Sequence, residues 1–487
     1  MKKLFITSFL IILLSPVIFS QTAQDALRYS RIYYGGTARF QGLSGAYGAV
    51  GADFSSLATN PAGIGFYKSS ELSITLSPTI NYTKTDFYGD QSTDYKVNFA
   101  MGNMGFIFSI NPGIKNSGNV LKNFNIGFGV NRQNDFNNRI YIAGVNPNSS
   151  MMQSYVNELN AVQEPPNNVT LDYPFDYGLA YGTNLVNWDS AGNTYWCDAQ
   201  YGGVLQSKQI DSWGSINEMN IALGGNIMDK LYFGLTVGIP FLRYFESSLY
   251  RELDHADTIP EFNFLNYRYH LQTTGTGINL KIGLIYRPAD WVRVGVSIHT
   301  PTWYSNMRDE WYSSMESNFT SSQWNAVAYS PIGNFNYRMT TPFRAIGSLA
   351  FILGPYGLIS ADYEYVDYGQ ARFNSNDYDY RTENNEIKNT YQSWGNIRVG
   401  TEWRIQNFRL RGGFGYYSNP YRSGINNSER YQASGGIGYR GKLFFADLTY
   451  AWTKMKENYF LYDASMVEPS SNTLFTNTIS TTVGIRF

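Results

Sequence analysis

The sequence is short of nearly everything from which catalytic and metal sites are built. One cysteine, Cys197, excludes an internal disulfide and any thiolate metal cluster. Three histidines, His255, His270 and His299, stand far apart and leave little material for a zinc site or a His-based catalytic centre. No Gly-x-Ser-x-Gly elbow is present, so nucleophilic hydrolysis lacks its oriented serine. Charge is sparse at 15% of residues, with 37 basic against 38 acidic side chains and a net of −1, which leaves no electrostatic footprint for nucleic acid. Beyond residue 21 no run approaches the ~20 apolar residues that a membrane-spanning helix requires. These absences argue against an enzyme and call for no metal and no cofactor.

What the 487 residues do hold is aromatics and glycine. Tyr 40, Phe 31 and Trp 10 make 17% of the chain, and Gly adds 46 positions, a bias towards strands and tight turns. Hydrophobic residues at 43% exclude a disordered chain. Residues 1–20 read as a secretory signal peptide: a basic start at Met1-Lys2-Lys3, an apolar run Leu4 to Leu14, then Ser15-Pro16, with Ile18 and Ser20 placed for cleavage before Gln21. An exported chain without membrane helices leaves a soluble β-protein or a β-barrel.

Apolar residues alternate with polar or small ones along many segments, as strand side chains pointing to opposite faces require. Val292, Val294, Val296 and Ile298 alternate with Arg293, Gly295 and Ser297. Ile397, Val399, Thr401, Trp403 and Ile405 face away from Arg398, Gly400, Glu402 and Arg404. Such alternation suits a sandwich or a membrane barrel equally, with opposite polarity. The connections separate the two. Fourteen strands are expected near 70–83, 94–110, 123–142, 207–226, 230–246, 270–287, 291–303, 335–353, 357–371, 389–405, 408–418, 429–440, 443–457 and 474–487. Short turns such as Pro288-Ala289-Asp290 and Gln406-Asn407 alternate with long segments at 143–206, 247–269, 304–334, 372–388 and 458–473, and with medium ones at 84–93 and 419–428. Only 111–122 breaks the rule. That alternation predicts an all-β, transmembrane, antiparallel up-and-down barrel of about fourteen strands in the outer membrane of a Gram-negative envelope. Trp291, Trp303, Trp403 and Trp452 near strand ends fit interfacial girdles against outer-membrane lipid.

Residues 21–69 precede the first strand and do not alternate. They run through Gly35-Gly36, a Gly/Ala-rich stretch from Gly42 to Asp53, and Asn60-Pro61-Ala62-Gly63. Small residues permit close backbone approach, and Pro61 forces Asn60 out of helical geometry. The segment is too long for a tail and too short for a domain, so its natural place is the barrel lumen; the plainer reading is a turn before the first strand. The division is therefore 1–20, 21–69 and 70–487, with the largest loop at 143–206.

The stretch GLSGAYGAVGADFSSLATNPAGIG, set between a signal peptide and such a barrel, resembles the long-chain fatty acid transporter family (the FadL/TodX type). The resemblance implies an N-terminal hatch carrying Asn60, Pro61 and Ala62 as its motif, and passive transport of hydrophobic compounds through a porin-like but plugged barrel. Phe487 on an amphipathic last strand resembles the assembly signal read by the barrel assembly machinery. In loop 143–206, Met151, Met152, Tyr155 and Leu159 recur at helical spacing after Ser149-Ser150, followed by Phe175, Leu179 and Trp188. They form a candidate surface for capturing a fatty acid-like ligand, or else pack the loop onto the rim. In the second strand the apolar phase slips by one around Gly102-Asn103-Met104-Gly105, as at a β-bulge. In the resembled family a strand kink opens a lateral gap, but in the third strand. The rival function is a protein-binding secretion shuttle or scaffold on a barrel of related build.

Overall fold

The computed structural model describes residues 21–110, 120–199, 202–422, 424 and 426–487; the expected signal peptide and most of the 111–122 connection lie outside these. From Glu71 onward the chain builds one antiparallel sheet that closes on itself. Its fourteen wall strands follow chain order. They are β1 (Glu71–Phe87), β2 (Asp90–Ile110), β3 (Leu121–Asp135, then Asn138–Asn146), β4 (Val204–Ile227), β5 (Leu231–Leu253), β6 (Phe262–Ala289) and β7 (Val292–His299, then Trp303–Phe319). Next come β8 (Ala326–Tyr329, Gly333–Thr340 and Arg344–Ile352), β9 (Gly357–Asp367, then Arg372–Asn374), β10 (Ser393–Ile405) and β11 (Phe408–Tyr417). The last three are β12 (Arg430–Arg440), β13 (Phe444–Tyr459) and β14 (Ser470–Arg486). Each pairs with its sequence neighbour, and β14 returns to β1 with Arg486 opposite Glu71. The backbone N–H of Ser70 donates to the carbonyl of Phe487 at 3.0 Å, and the Ser70 carbonyl accepts from the N–H of Phe487 at 3.1 Å. The chain ends thereby complete the cylinder.

The fourteen strands expected from alternation are those observed. Their loops are shorter than the sequence implied, because the strands continue past the apolar belt. Connection 84–93 is a two-residue hairpin turn at Tyr88-Gly89, both with positive φ (51° and 89°), matching the twist of the flanking strands. Segments 247–269 and 304–334 are largely strand, as are the two ends of 458–473. Above the belt the outward side chains become polar, so the period-two signal fades while the hydrogen-bonded ladder goes on.

Polarity is inverted relative to a water-soluble protein. Val294, Val296 and Ile298 point outward, Val296 with 52% of its surface exposed, while Ser297 and His299 between and beside them are buried. Arg398, 1% exposed, is among the largest fully buried side chains, and its neighbours Ile397 and Val399 lie bare on the outside. Only a hydrocarbon surround makes that arrangement favourable. Aromatics ring both edges of the belt: Trp291 stacks on Phe351 at 6.2 Å near one rim, and Trp452 leans on Phe475 at 6.2 Å near the other.

Val296→Arg puts a guanidinium in the middle of this outer apolar run. Urea unfolding from phospholipid vesicles should show a loss of about 2–4 kcal/mol, whereas a soluble outer surface would accept arginine at no measurable cost.

Candidate functional site

Residues 21–69 run down inside the cylinder from the loop rim to the turn rim. They form α1 (Ala23–Ser30), α2 (Ala38–Gly42), α3 (Ser56–Thr59) and a 3-10 turn (Pro61–Phe66). Apolar side chains of the segment such as Phe40, Leu43, Phe54, Leu57 and Ile64 are buried among one another and against the wall, and its backbone is held by polar groups that the wall turns inward. The N–H of Ala38 donates to Oγ1 of Thr482 at 2.7 Å, and Oγ1 of Thr449 donates to the Ala38 carbonyl at 2.7 Å. The N–H groups of Tyr47 and Gly48 both donate to the Asp362 carboxylate, at 2.9 and 3.0 Å. Arg293 donates to the Val50 carbonyl at 2.6 Å, and Nδ2 of Asn125 to that of Ile64 at 2.6 Å. These partners stand on β14, β13, β9, β7 and β3, so the segment is gripped from all sides. Asp53 fastens the segment to itself, accepting from Oγ1 of Thr37 at 2.8 Å and from the N–H of Ser55 at 2.9 Å.

Asn60, Pro61, Ala62 and Gly63 sit near the turn rim, all buried. Oδ1 of Asn60 accepts from the N–H of Ala62 at 3.1 Å, and its Nδ2 donates to the Gly48 carbonyl at 2.6 Å. Pro61 is the first residue of the 3-10 turn, where a missing N–H costs nothing. The motif beds against wall glycines: Gly283 faces Oδ1 of Asn60, Gly234 faces the Pro61 carbonyl, and Gly295 faces the Gly48 carbonyl. A Cβ at Gly283 or Gly234 has no room. His299, buried, completes the seat with Nε2 2.6 Å from the Thr59 carbonyl. His270 stacks on Tyr312 at 4.6 Å, so two of the three histidines have structural work.

Ion pairs fill the lumen around the hatch. Glu402 holds Arg39 at 2.9 Å and Arg411 at 2.8 Å, and Arg411 reaches Asp447 at 2.7 Å. Glu364 holds Arg344 at 2.6 Å and Arg398 at 2.7 Å, and Lys281 pairs with Glu218. Removing one member of such a buried pair strands its partner, typically at a cost of about 3–5 kcal/mol. Alternation put Arg398 and Glu402 on the polar face of their strand, but the pairing of these charges needs the register.

Above the hatch, a cavity of about 440 Å³ lies between its first twenty residues and the wall of β1 to β5 and β12 to β14. Leu27, Phe136, Tyr244 and Phe475 give it apolar surface, and amides such as Asn134 and Gln432 give it hydrogen-bonding surface. Four guanidiniums (Arg28, Arg31, Arg132, Arg430) line it against three carboxylates (Asp135, Glu246, Glu457). Arg132 is paired with Asp135 at 2.7 Å and Arg28 with Asp25. Among the described residues, Arg31 and Arg430 have no carboxylate within ion-pair distance; Arg430 stacks on Tyr33 at 3.8 Å with one buried nitrogen unpartnered.

Ala100 and Gly102 also line the cavity, where the wall changes construction. Opposite β1, Thr75 pairs with Asn103 and Leu76 with Met101, leaving Gly102 as the extra residue of a bulge. The β2–β3 ladder runs only from Ile110–Phe124 to Asn103–Asn131. Beyond it β3 breaks at Phe136-Asn137 and its continuation tucks inside β1 and β2. There the side chains of Asn81, Thr83 and Thr85 donate to the carbonyls of Asn137, Arg139 and Tyr141, the last two at 2.7 and 2.8 Å. Lys96 reaches the Ser212 carbonyl at 2.9 Å. The upper wall is thus an overlapped seam held by side chains. Gly102 and Asn103 stand where the ladder ends, and Gly105 lies within the paired part, against Phe54 of the hatch. The break in β3 was not foreseen; the polar run Asn134-Asp135-Phe136-Asn137-Asn138 was its only sequence signal.

Residues 147–199 form a cap with α4 (Met151–Val162), α5 (Val169–Asp172), α6 (Tyr177–Gly182) and a small hairpin. Oγ of Ser150 accepts from the N–H of Met152 at 3.0 Å, capping α4, and donates to Glu252 at 2.5 Å. Met151, Met152, Leu159 and Leu179 are buried in the core shared by the cap and the rim, not on its outer face, because in that core the loop meets apolar rim residues such as Phe262 and Phe319. Tyr155 and Trp188 are half-buried around it. Phe175 parts from the others and reaches down to Trp311 at 5.4 Å, over α1. Burial pushes the Asp176 carboxyl at the start of α6 up to about 6.

No family model and no curated protein matches this chain. Solved structures do. The Pseudomonas putida toluene transporter TodX aligns with 93% of this chain and 98% of its own length, with a TM-score of 0.56 and 13% identity. A Pseudomonas aeruginosa FadL homologue covers 94% of this chain and 99% of its own, with a TM-score of 0.53 and 11% identity. What is shared is the fold: the closed fourteen-strand barrel with helical N-terminal segments.

Gly283→Val drives a side chain into the Asn60 seat. Proteoliposomes bearing the variant should swell faster in small sugars than wild type, provided the barrel still shows its folded gel mobility. Equal swelling with a folded barrel would mean the motif does not hold the hatch.

Proposed function

We propose that the chain is an integral outer-membrane channel through which hydrophobic compounds diffuse without energy input, and that its cargo is an amphiphile with an anionic head, such as a long-chain fatty acid. The observation that carries this reading is the cavity lined both by Leu27, Phe136 and the guanidiniums of Arg31 and Arg430 and by Ala100 and Gly102 beside the seam. The turn rim faces the periplasm and the loop rim the exterior. Apolar tails gain free energy on leaving water for such a cavity, and a carboxylate head finds charge-assisted donors there. The hatch below directs the cargo sideways, through the overlapped part of the wall where β2 and β3 lose their backbone ladder. The apolar belt outside receives it. Release through the wall spares an apolar molecule from crossing the polar lumen beneath.

Capture at the cap is assigned to its partly exposed aromatics, Tyr155 and Trp188, with Phe175 leading inward towards α1; Met151, Met152, Leu159 and Leu179 hold the cap in shape for them. The shared fold with a toluene transporter and a FadL homologue supports a hydrophobic cargo in general, and the arginines favour a charged head over a bare hydrocarbon.

Arg31→Ala combined with Arg430→Ala should weaken binding of oleate about ten-fold, ~1.4 kcal/mol, while leaving oleyl alcohol unchanged in tryptophan-quenching titrations. Equal losses for both ligands would refute an anionic head. Ala100→Trp should leave oleate binding intact and cut its uptake by cells carrying the barrel. Undiminished uptake would place the exit elsewhere.

A further inference from the structure

We propose that the mature chain begins at Gln21 and that this residue is cyclised to pyroglutamate, the neutral lactam being what anchors the upper end of the hatch. The proposal rests on cleavage between Ser20 and Gln21, and not on what the channel carries. Gln21 is 2% exposed, under the cap in the half of the lumen nearest the loop rim. Its side-chain Nε2 donates to Oδ2 of Asp309 at 2.5 Å, and the hydroxyl of Tyr380 donates to its Oε1 at 2.7 Å. Asp309 is itself buried and accepts from the Tyr337 hydroxyl at 3.1 Å. The wall thus offers one acceptor and one donor to a single planar amide.

Cleavage before Gln21 creates an α-ammonium at this place. Taking an ammonium out of water is costly, and α1 adds its positive end: its cap, Thr22, directly follows Gln21, and its first turn carries a complete capping box with Asp25. An N-terminal glutamine has a chemical way out. The α-nitrogen attacks Cδ of the same residue, the new N–Cδ bond closes a five-membered lactam, and the Cδ–Nε2 bond breaks. The side-chain nitrogen departs as ammonia with the proton given up by the α-amine. No oxidant or cofactor is consumed. The lactam keeps Oε1 as an acceptor and presents an N–H beside it, so it meets the same two wall groups, Tyr380 and Asp309, without a charge. A free ammonium would instead keep its charge in this buried place, beside the positive end of α1.

Mass spectrometry of the N-terminal peptide from barrel extracted directly from membranes tests this. A heavy-isotope synthetic peptide of residues 21–31, added at lysis, reports cyclisation during handling. The expected result is a peptide starting at Gln21 and one ammonia lighter, with far more cyclisation than the added peptide. A Gln21 terminus with its amine intact, or cyclised no further than the control, would overturn the lactam. A terminus elsewhere would overturn the cleavage on which it rests. In the folded full-length barrel, Gln21→Ala should be cut by trypsin after Arg28 or Arg31 several-fold faster than wild type. Unchanged protection would show that residue 21 does not anchor the hatch.

Discussion

Hydrocarbon offers no hydrogen bonds, so a chain that crosses it with strands must close its sheet and turn its polar side chains inward. Everything else in this molecule follows from that inversion. Fourteen strands enclose more space than inward side chains alone fill. The lumen is accordingly packed with ion pairs such as Arg398–Glu364 and Arg411–Asp447, and with a strand-free segment whose backbone takes up the remaining donors and acceptors. The hatch is therefore held both by apolar packing, as of Phe54 and Leu57 with Ile107 and Ala222, and by wall side chains bonding its main chain, as Asp362 does for Tyr47 and Gly48.

The same constraint makes the seam informative. Two strand edges that lose their ladder in a membrane wall expose unpaired backbone groups, which must be covered. Here strand β3 folds inward and the side chains of Asn81, Thr83 and Thr85 take over its carbonyls, a weaker closure than a ladder and one that side-chain rotation undoes. A cavity bearing unpaired guanidiniums opens onto this closure, and a glycine bulge marks its lower end.

Much of this was legible in the sequence, and for clear reasons. Period-two alternation in Val292–Ile298 and Ile397–Ile405 located strands, and short turns on one rim told a barrel from a sandwich. Asn60-Pro61-Ala62 marked the hatch, and the phase slip beside Gly102 fell at the bulge. Strand ends were misjudged wherever the wall rises above the lipid, because alternation there no longer separates apolar from polar. The cap methionines illustrate a different limit: helical spacing shows that Met151, Met152 and Leu159 share a face, but only the fold shows that the face looks inward onto the rim. The break at Phe136-Asn137 and the pairing of lumen charges depend on register and long-range contact, which no local pattern encodes.

The central claim is that residues 21–65 stopper an otherwise open cylinder. Single-channel recording in planar bilayers of a barrel lacking those residues tests it most directly. A large, steady conductance absent from the intact chain is predicted; a conductance equal to that of the intact chain would contradict it.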